Sequence, residues 1–323
     1  IQEHESSKKY IKNYRDAFKG FKETLKEDLI DGILDVEITE EREKIIRDIF
    51  KRMDRVELID KYKAYQIFSD IWKDTEADLE MILDEGFEVI NLVEPNMVIK
   101  KKKEDDEEVP EVQEGWRGRI LPFELVQEKL LINEVEKIKA IENRLVEIAS
   151  EYGEILDLLE EDEKDADYVK DDNSSFVNVE VKKYMKEVCD EIETKEIQIL
   201  NGYLLLSKKA EKEKYVREHN IIDSGLMEKG KNSVYTKTEI NKRISQIQHT
   251  FKFDKDTLEN KLQRVVSLIE EESTLKGELK IKKEKLHLKT KELIENLDED
   301  TSLNLLYTKW IAPLVNGLDE LGK

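Results

Sequence analysis

The stretch DKDTLENKLQRVVSLIEEESTLKGELKIKKEKLHLKTKELIENL, residues 254–297, decides the fold class. Its apolar residues recur mostly every three, four or seven positions, which places them on one face of a helix. They are Leu258, Leu262, Val265, Ile269, Leu275, Leu279, Leu286 and Leu293. So narrow an apolar stripe is typical of a helix that packs along another helix. A continuous helix of this length would extend about 60 Å at 1.5 Å per residue.

A second stripe of the same kind runs through FELVQEKLLINEVEKIKAIENRLVEIASEYGEILDLLE, residues 123–160. Its apolar positions are Leu131, Ile138, Ile141, Leu145, Ile148, Tyr152, Ile155 and Leu159. The two stripes predict long helices that pair with each other or with helices of another chain, and the sequence leaves this choice open. As candidate seam residues for a partner helix we select Leu145, Ile148, Leu279, Leu286 and Trp310.

The composition favours long, solvated helices over a broad sheet. Of the 323 residues, 41% are charged and only 12 are Gly and 4 Pro, whereas a typical domain is about 25% charged. A formal net charge of −21 repels phosphate, so any nucleic-acid contact requires a local basic patch. No apolar run approaches the roughly 18–20 residues of a membrane span, and the single Cys189 fits a reducing compartment. We therefore expect a soluble, cytoplasmic segment of a larger protein.

The predicted fold class is mainly α, with long helices that carry coiled-coil-like seams and a small β-hairpin or α+β element near residues 86–122. Changes in periodicity and charge divide the chain into five predicted parts. These are a helical N-terminal segment (1–59), a small α+β module (60–122), a long helix (123–160), an acidic linker or loop (161–178) and one or more helical arms (179–323).

Strand signals occur only in the α+β module. Two short apolar runs flank Pro95-Asn96, a pair typical of turns, and RGRILPF (117–123) is a candidate third strand. Lys100–Lys103, followed by the acidic Glu104–Glu108, predicts a solvated hairpin tip. The planar Trp116 next to Gly115 predicts an anchor of the hairpin on a helix.

No sequence pattern points to a catalytic, cofactor-binding or metal site in this segment. Phosphate-binding and dinucleotide-binding glycine loops are absent, and the four histidines are scattered. The remaining candidates are Lys276, Lys280 and Lys283, which share one helix face and could contact phosphate. The alternative is a solvated face balanced by glutamates one turn away, and this alternative is favoured.

Four stretches, in this order, resemble the C-terminal part of the long-form methylation subunit of type I restriction-modification systems. They are YKAYQIFSDIWKDTEADLEMI (62–82), EPNMVIKKKK (94–103), GWRGRILPFELVQEKLL (115–131) and LLYTKWIAPLVNGLDEL (305–321). The resemblance implies a parent subunit that is an S-adenosylmethionine-dependent N6-adenine DNA methyltransferase. The family's catalytic Asn-Pro-Pro-aromatic motif and its glycine-rich cofactor motif are missing here, so this segment alone is expected to be inactive and to bind no cofactor.

The resemblance also implies the partners. Two methylation subunits assemble with one specificity subunit, which reads the DNA, and a restriction subunit can join them. In such complexes the C-terminal helices of the methylation subunit pack on the helical spacers of the specificity subunit. The alternative is a stand-alone helical coiled-coil scaffold without a methylation role. The strands and turns that interrupt the seams of this chain argue against a simple rod.

Overall fold

The structure is a computed structural model of the 323-residue chain. It describes residues 5–56, 59–99, 111–220 and 234–322. The predicted solvated tip, Lys100–Lys103 with Glu104–Glu108, lies outside the described residues.

The predicted fold class is confirmed, because the described chain is mainly helical and carries one small two-stranded antiparallel sheet. The chain forms two compact units. Unit 1 combines Ile1–Lys139 with Lys280–Lys323, and unit 2 is Ala140–Leu279. This division differs from the five consecutive parts predicted from the sequence, because segments far apart in the chain share a core. Periodicity shows which face of a helix is buried but not which segment covers it.

The first half of unit 1 is a set of four helices. They are α1 (Glu5–Ala17), α2 (Phe21–Lys26), α3 (Ile38–Met53) and α4 (Lys61–Glu85). A π-helical turn (Glu27–Asp31) and two 3-10 turns (Ile33–Asp35 and Phe87–Asn91) complete this part. Helix α4 begins at Asp60, whose carboxylate accepts the Tyr62 N–H. It ends at Gly86, where φ of +94° favours glycine.

The second half of unit 1 contains the hairpin and the ends of the two striped helices. Strands β1 (Val93–Ile99) and β2 (Glu111–Gly118) are followed by α5 (Phe123–Leu130) and α6 (Ile132–Asp157). The long helix predicted for 123–160 is thus divided at Leu131. Helix α12 (Leu258–Glu295) confirms a continuous helix along the other stripe, and α13 (Glu299–Leu321) follows it. Both α6 and α12 cross the unit boundary.

One apolar core holds unit 1 together. Helix α4 packs against α3 and α13, and the Tyr14 hydroxyl of α1 donates to the Leu318 carbonyl oxygen of α13 at 2.5 Å. Residues 1–59 and 60–122, predicted as separate parts, therefore share a core with the C-terminal helix. Its buried members include Ile45, Ile49, Phe68, Trp72, Leu79, Ile82, Ile120, Leu121, Phe123, Val126, Leu306, Trp310, Ile311 and Leu314.

The hairpin forms, but two details of its prediction were wrong. Val93 lies opposite Gly118 and Ile99 opposite Glu111, so Pro95-Asn96 lies inside β1, at a shift in register, and not in a turn. Proline has no N–H to donate to the ladder, and it is tolerated at such a bulge because the ladder is interrupted there. The predicted third strand is absent, since the described residues 119–122 connect β2 directly to α5.

In its described residues, 140–220 and 234–279, unit 2 adds five shorter helices to its portions of α6 and α12. They are α7 (Glu161–Lys164), α8 (Asn178–Asp190), α9 (Lys195–Leu204), α10 (Lys209–Glu218) and α11 (Lys237–Thr250). One core joins α6, α8 and α12, and a smaller core joins α9, α10 and α11. Segment 161–178, predicted as an acidic linker or loop, begins with α7 and continues as a loop that contributes to the first of these cores. Val169 pairs with Phe176, and both are buried together with Tyr168.

The two striped helices pair with each other in antiparallel orientation within each unit. In unit 2, Arg144 of α6 contacts Glu271 of α12 at 2.6 Å, while Glu151, two turns later on α6, pairs with Arg264, two turns earlier on α12. In unit 1, Glu134 of α6 pairs with Lys289 of α12. The sequence left open whether the striped helices pair with each other or with another chain, and in this structure they pair with each other.

Candidate assembly surface

Three of the segments that carry the family resemblance meet at a buried polar cluster in unit 1. The Lys309 ammonium of α13 donates to Asp78 Oδ2 of α4 at 2.5 Å and to the Ile120 carbonyl oxygen, ahead of α5, at 2.6 Å. The Trp310 indole N–H donates to the same Asp78 oxygen at 2.8 Å. Asp78 and Trp310 are buried and Lys309 is half-buried. Lys309 of α13 thus connects α4 and the segment between β2 and α5 to its own helix.

The buried Asp78 carboxylate accepts hydrogen bonds from Lys309 and Trp310. Burial raises the pKa of Asp78, and the nearby Lys309 charge and the hydrogen bonds from Lys309 and Trp310 oppose that rise. A buried carboxylate without such partners would be strongly destabilising. Lys309 therefore compensates a charge that the core would otherwise exclude.

A second contact anchors the hairpin on α12. The Trp116 backbone N–H of β2 donates to His287 Nε2 at 2.8 Å, and the Phe123 ring of α5 lies 4.8 Å from the imidazole. The Lys291 ammonium lies 4.7 Å from the centre of the Trp116 ring. These contacts support the prediction that Trp116 is an anchor of the hairpin on a helix.

The arginines that flank Trp116 form ion pairs inside unit 1. The Arg117 guanidinium contacts Glu94 across the hairpin at 2.6 Å, and Arg119 pairs with Glu85 at the end of α4. Both arginines thus hold the hairpin to neighbouring parts of its own unit. As largely exposed pairs, each contributes no more than about 1 kcal/mol.

The predicted seam residues are buried or half-buried within the chain. Ile148 is 1% exposed, Trp310 2% and Leu286 9%, while Leu145 and Leu279 are half-buried. Trp310 belongs to the core of unit 1 and is hydrogen-bonded to Asp78, so in this conformation it is not available to a partner helix. The predicted stripes therefore mark the faces by which the helices pack internally.

Apolar side chains on the opposite face of α12 remain available to a partner. In unit 1, Ile281 is 54% exposed and Leu288 is 58% exposed. They are seven residues apart, two helical turns, and so lie on one face of the helix. Leu286 and Thr290, on the buried side, are rotated well away from them. Sequence reasoning missed this pair because the lysines and glutamates around it resemble an ordinary solvated face.

A network of charged side chains supports the helix pair in unit 2. Arg144 reaches Glu271 of α12 and also Glu147 and Glu151 of its own helix. The hydrogen bonds from Arg264 and Arg144 hold the pKa of the Glu151 carboxyl below its usual range. A network of this kind fixes the register of two helices more than it adds stability, because exposed ion pairs are weak individually.

Of the candidate phosphate-contacting lysines, Lys276 forms an ion pair within α12. The Lys276 ammonium lies 2.6 Å from the Glu272 carboxylate one turn earlier. Lys280 and Lys283 are exposed on the unit 1 part of the helix, where Glu284 lies directly after Lys283 and four residues after Lys280. The Glu272 contact agrees with the alternative reading of a solvated, charge-balanced face.

We expect the chain to bind duplex DNA weakly at about 150 mM salt, because its net charge of −21 opposes the approach of phosphate. Changing Lys276, Lys280 and Lys283 together to Gln should leave that weak binding unchanged. Fluorescence anisotropy with a labelled duplex checks this expectation. A tight complex that the triple variant abolishes would show instead that the local lysines outweigh the overall charge.

Cys189 shows no sign of activation as a nucleophile. It is half-buried beside the first core of unit 2, and burial, with a smaller contribution from Asp190, raises the pKa of its thiol. Reactive cysteines have the opposite shift, towards the thiolate. Among the described residues, no three His, Cys, Asp or Glu side chains are grouped so that they could hold a metal ion.

Comparison of the chain with protein-family models, with curated proteins and with solved structures finds no match. Within the described ranges, no helix is both long and apolar enough to cross a membrane.

Two of the polar residues that organise unit 1 were missed at the level of sequence. Asp78 lies three residues after Thr75 and four before Ile82, both buried, so its position on the apolar face of α4 was a readable signal. His287 follows Leu286 on α12 and gave no such signal, since its partner is a backbone N–H 171 residues away.

Proposed function

We propose that the chain is the C-terminal assembly module of a type I restriction-modification DNA adenine methyltransferase subunit. In this role it packs on a helical spacer of the specificity subunit, in the cytoplasm, and reaches DNA only through the complex. The methyl transfer from S-adenosylmethionine would belong to the part of the parent subunit that carries the catalytic motif. A second methylation subunit and the restriction subunit would complete the assembly.

The observation that supports this proposal is the cluster around Lys309. Segments 62–82, 115–131 and 305–321 carry the resemblance, and Asp78, Ile120 and Lys309, one from each, are joined by hydrogen bonds. Chance similarity in three separate stretches would not require them to form one core. Their convergence is what a shared structural unit would produce.

The exposed face of α12 supports a helical partner. Ile281 and Leu288 are spaced as one apolar stripe on a helix whose other side is already packed. An apolar stripe with charged neighbours is suited to a second helix, where the charged flanks select register and partner. We assign this face, and not the buried seams, as the contact with the specificity subunit.

Co-purification with a type I specificity subunit tests the proposal. We expect the wild-type chain to be retained on a tagged specificity subunit, and the double variant Ile281→Asp, Leu288→Asp to lose at least tenfold in affinity. Two charges placed in an apolar interface leave unpaired, desolvated carboxylates, which cost well over the roughly 1.4 kcal/mol that corresponds to tenfold.

Leu205→Asp is the matched control, because Leu205 is 85% exposed and lies on unit 2. It should bind like the wild type. Circular dichroism should show that all three proteins are equally helical. If the wild-type chain is not retained, the stand-alone scaffold becomes the better account. If it is retained and the double variant binds equally well, the assigned face is wrong.

A further inference from the structure

The contact between β2 and His287 depends on the protonation state of the imidazole. The Trp116 N–H lies 2.8 Å from His287 Nε2 and needs a lone pair there. A neutral imidazole protonated at Nδ1 supplies that lone pair, whereas the imidazolium carries a hydrogen on both nitrogens and accepts from neither. The docked hairpin is therefore compatible only with neutral His287.

The backbone of β2 is shaped to bring the imidazole this close. Gly115 has a φ of +79°, and a Cβ built there would lie 2.5 Å from His287 Nε2. Trp116 pairs with Pro95 across the hairpin, and its N–H donates to His287 Nε2. His287 thus occupies the place of a neighbouring strand at this edge.

We propose that His287 is a proton-sensitive latch that holds the β-hairpin on α12, closed when its imidazole is neutral and released when it is protonated. The hairpin belongs to the body that carries the family resemblance, so release changes the surface that unit 1 presents to other subunits. Histidine is the side chain whose charge changes between about pH 5 and 8, which is the range in which such a latch would act.

Charged side chains lie near the imidazole on both α12 and β2. From α12 itself, Lys283 and Lys291 lie one turn before and one turn after, with Glu284 between them in sequence. From β2, the neighbouring charges are Glu114 and Arg117, of which Arg117 is paired with Glu94. On α5, the side chain next to the imidazole is the uncharged Phe123. The Lys291 ammonium, which lies over the Trp116 ring, is paired with Glu295.

Hydrogen exchange of the Trp116 amide tests the latch directly. The chain has three tryptophans, so ¹⁵N-tryptophan labelling of the full chain reports Trp116 together with two internal references, Trp72 in α4 and Trp310 in α13. After correction for intrinsic exchange, protection of Trp116 should fall about tenfold per pH unit below its midpoint, because release takes up one proton. Protection of Trp72 and Trp310 should stay constant over the same range.

Two variants separate the latch from a general loosening of the hairpin. His287→Gln keeps an acceptor oxygen without a titrating group, so its Trp116 protection should be independent of pH. Gly115→Ala should remove the protection at every pH, since the added methyl group collides with the ring. In the wild type, the midpoint for Trp116 should coincide with the titration of the His287 ring, followed with ¹³C-histidine and identified as the signal missing in His287→Gln.

The proposal is overturned if wild-type protection of Trp116 is constant from pH 7.5 to 5, or if His287→Gln shows the same pH-dependent loss. It is also overturned if the Trp116 midpoint and the His287 titration differ. Should His287→Gln fail to dock at any pH, the comparison of the two wild-type midpoints still decides the question.

Discussion

Replacing Lys309 by methionine will destabilise unit 1 by about 3–5 kcal/mol, the usual cost of removing one partner from a buried ion pair. Methionine keeps most of the volume of the lysine side chain, so the decrease in the free energy of unfolding measures the loss of the charge and not a change in packing. The Asp78 carboxylate is left in the core with only the Trp310 indole as a partner, and the Ile120 carbonyl oxygen loses its donor. Urea unfolding of the full chain, followed by tryptophan fluorescence, measures the change.

The double variant Asp78→Asn, Lys309→Met is the control for this prediction. With the charge on residue 78 removed as well, the loss should be clearly smaller than the sum of the two single losses, giving a coupling energy of at least about 1 kcal/mol. Strict additivity would mean that the two groups do not stabilise each other, and the cluster would then be a coincidence of packing.

The pH dependence of Lys309→Met has a definite sign. Burial already raises the pKa of Asp78 in the wild type, and the loss of the Lys309 charge raises it further. A carboxyl whose folded pKa lies above its unfolded value stabilises the fold at low pH, and this stability is lost as pH rises through the folded pKa. The defect of Lys309→Met should therefore be small at about pH 4.5 and large at pH 7.5. A defect that is larger at acid pH would contradict the assignment.

Ile148→Ala will destabilise the helix pair of unit 2 by about 2–5 kcal/mol, the range for truncating a large side chain in a packed core. Ile148 is 1% exposed and lies one turn after Arg144 and one turn before Tyr152. Both of these neighbours reach α12, at Glu271 and Glu272 respectively. The loss follows from a cavity between α6 and α12, and thermal unfolding monitored by circular dichroism records it.

Val146→Ala provides the comparison within the same turn of α6. Val146 is 69% exposed, so its truncation should change stability by no more than about 0.5 kcal/mol. If instead Ile148→Ala is as mild as Val146→Ala, the seam is not closed within the chain and must be covered by something else.

The fold class could be predicted from the sequence, while the pairing of elements could not. The stripes on α6 and α12 indicated which faces are buried, and the structure buries Ile148 and Leu286 as those stripes require. Nothing in the periodicity states that the covering helix belongs to the same chain. That information is carried by contacts such as Arg144 with Glu271, 127 residues apart.

Two predictions made from local residue types differ from the structure, because the surroundings of those residues decide their conformation. Pro95-Asn96 is typical of a turn, yet the strand continues through it, because a proline at a bulge on the edge of a two-stranded sheet loses no ladder hydrogen bond. The acidic segment 161–178 suggested a solvated linker. Its buried Tyr168 and Phe176 hold it on the core of unit 2, and the acidic residues between them lie at the surface.

The candidate assembly face illustrates a different limit of sequence reasoning. Ile281 and Leu288 are isolated apolar residues among lysines and glutamates, and single exposed apolar residues are common on protein surfaces. Only the structure shows that they share the one side of α12 opposite its packed face. The resemblance implies a helical partner, and this exposed face is the one that we propose for the contact.

The most direct test of the assembly role is the mass of the complex that forms when the chain is mixed with a type I specificity subunit. Native mass spectrometry should give a complex of two copies of the 38.1 kDa chain with one specificity subunit, as the family resemblance implies. Spectra that contain only the separate chains, at concentrations of several micromolar, would contradict the account.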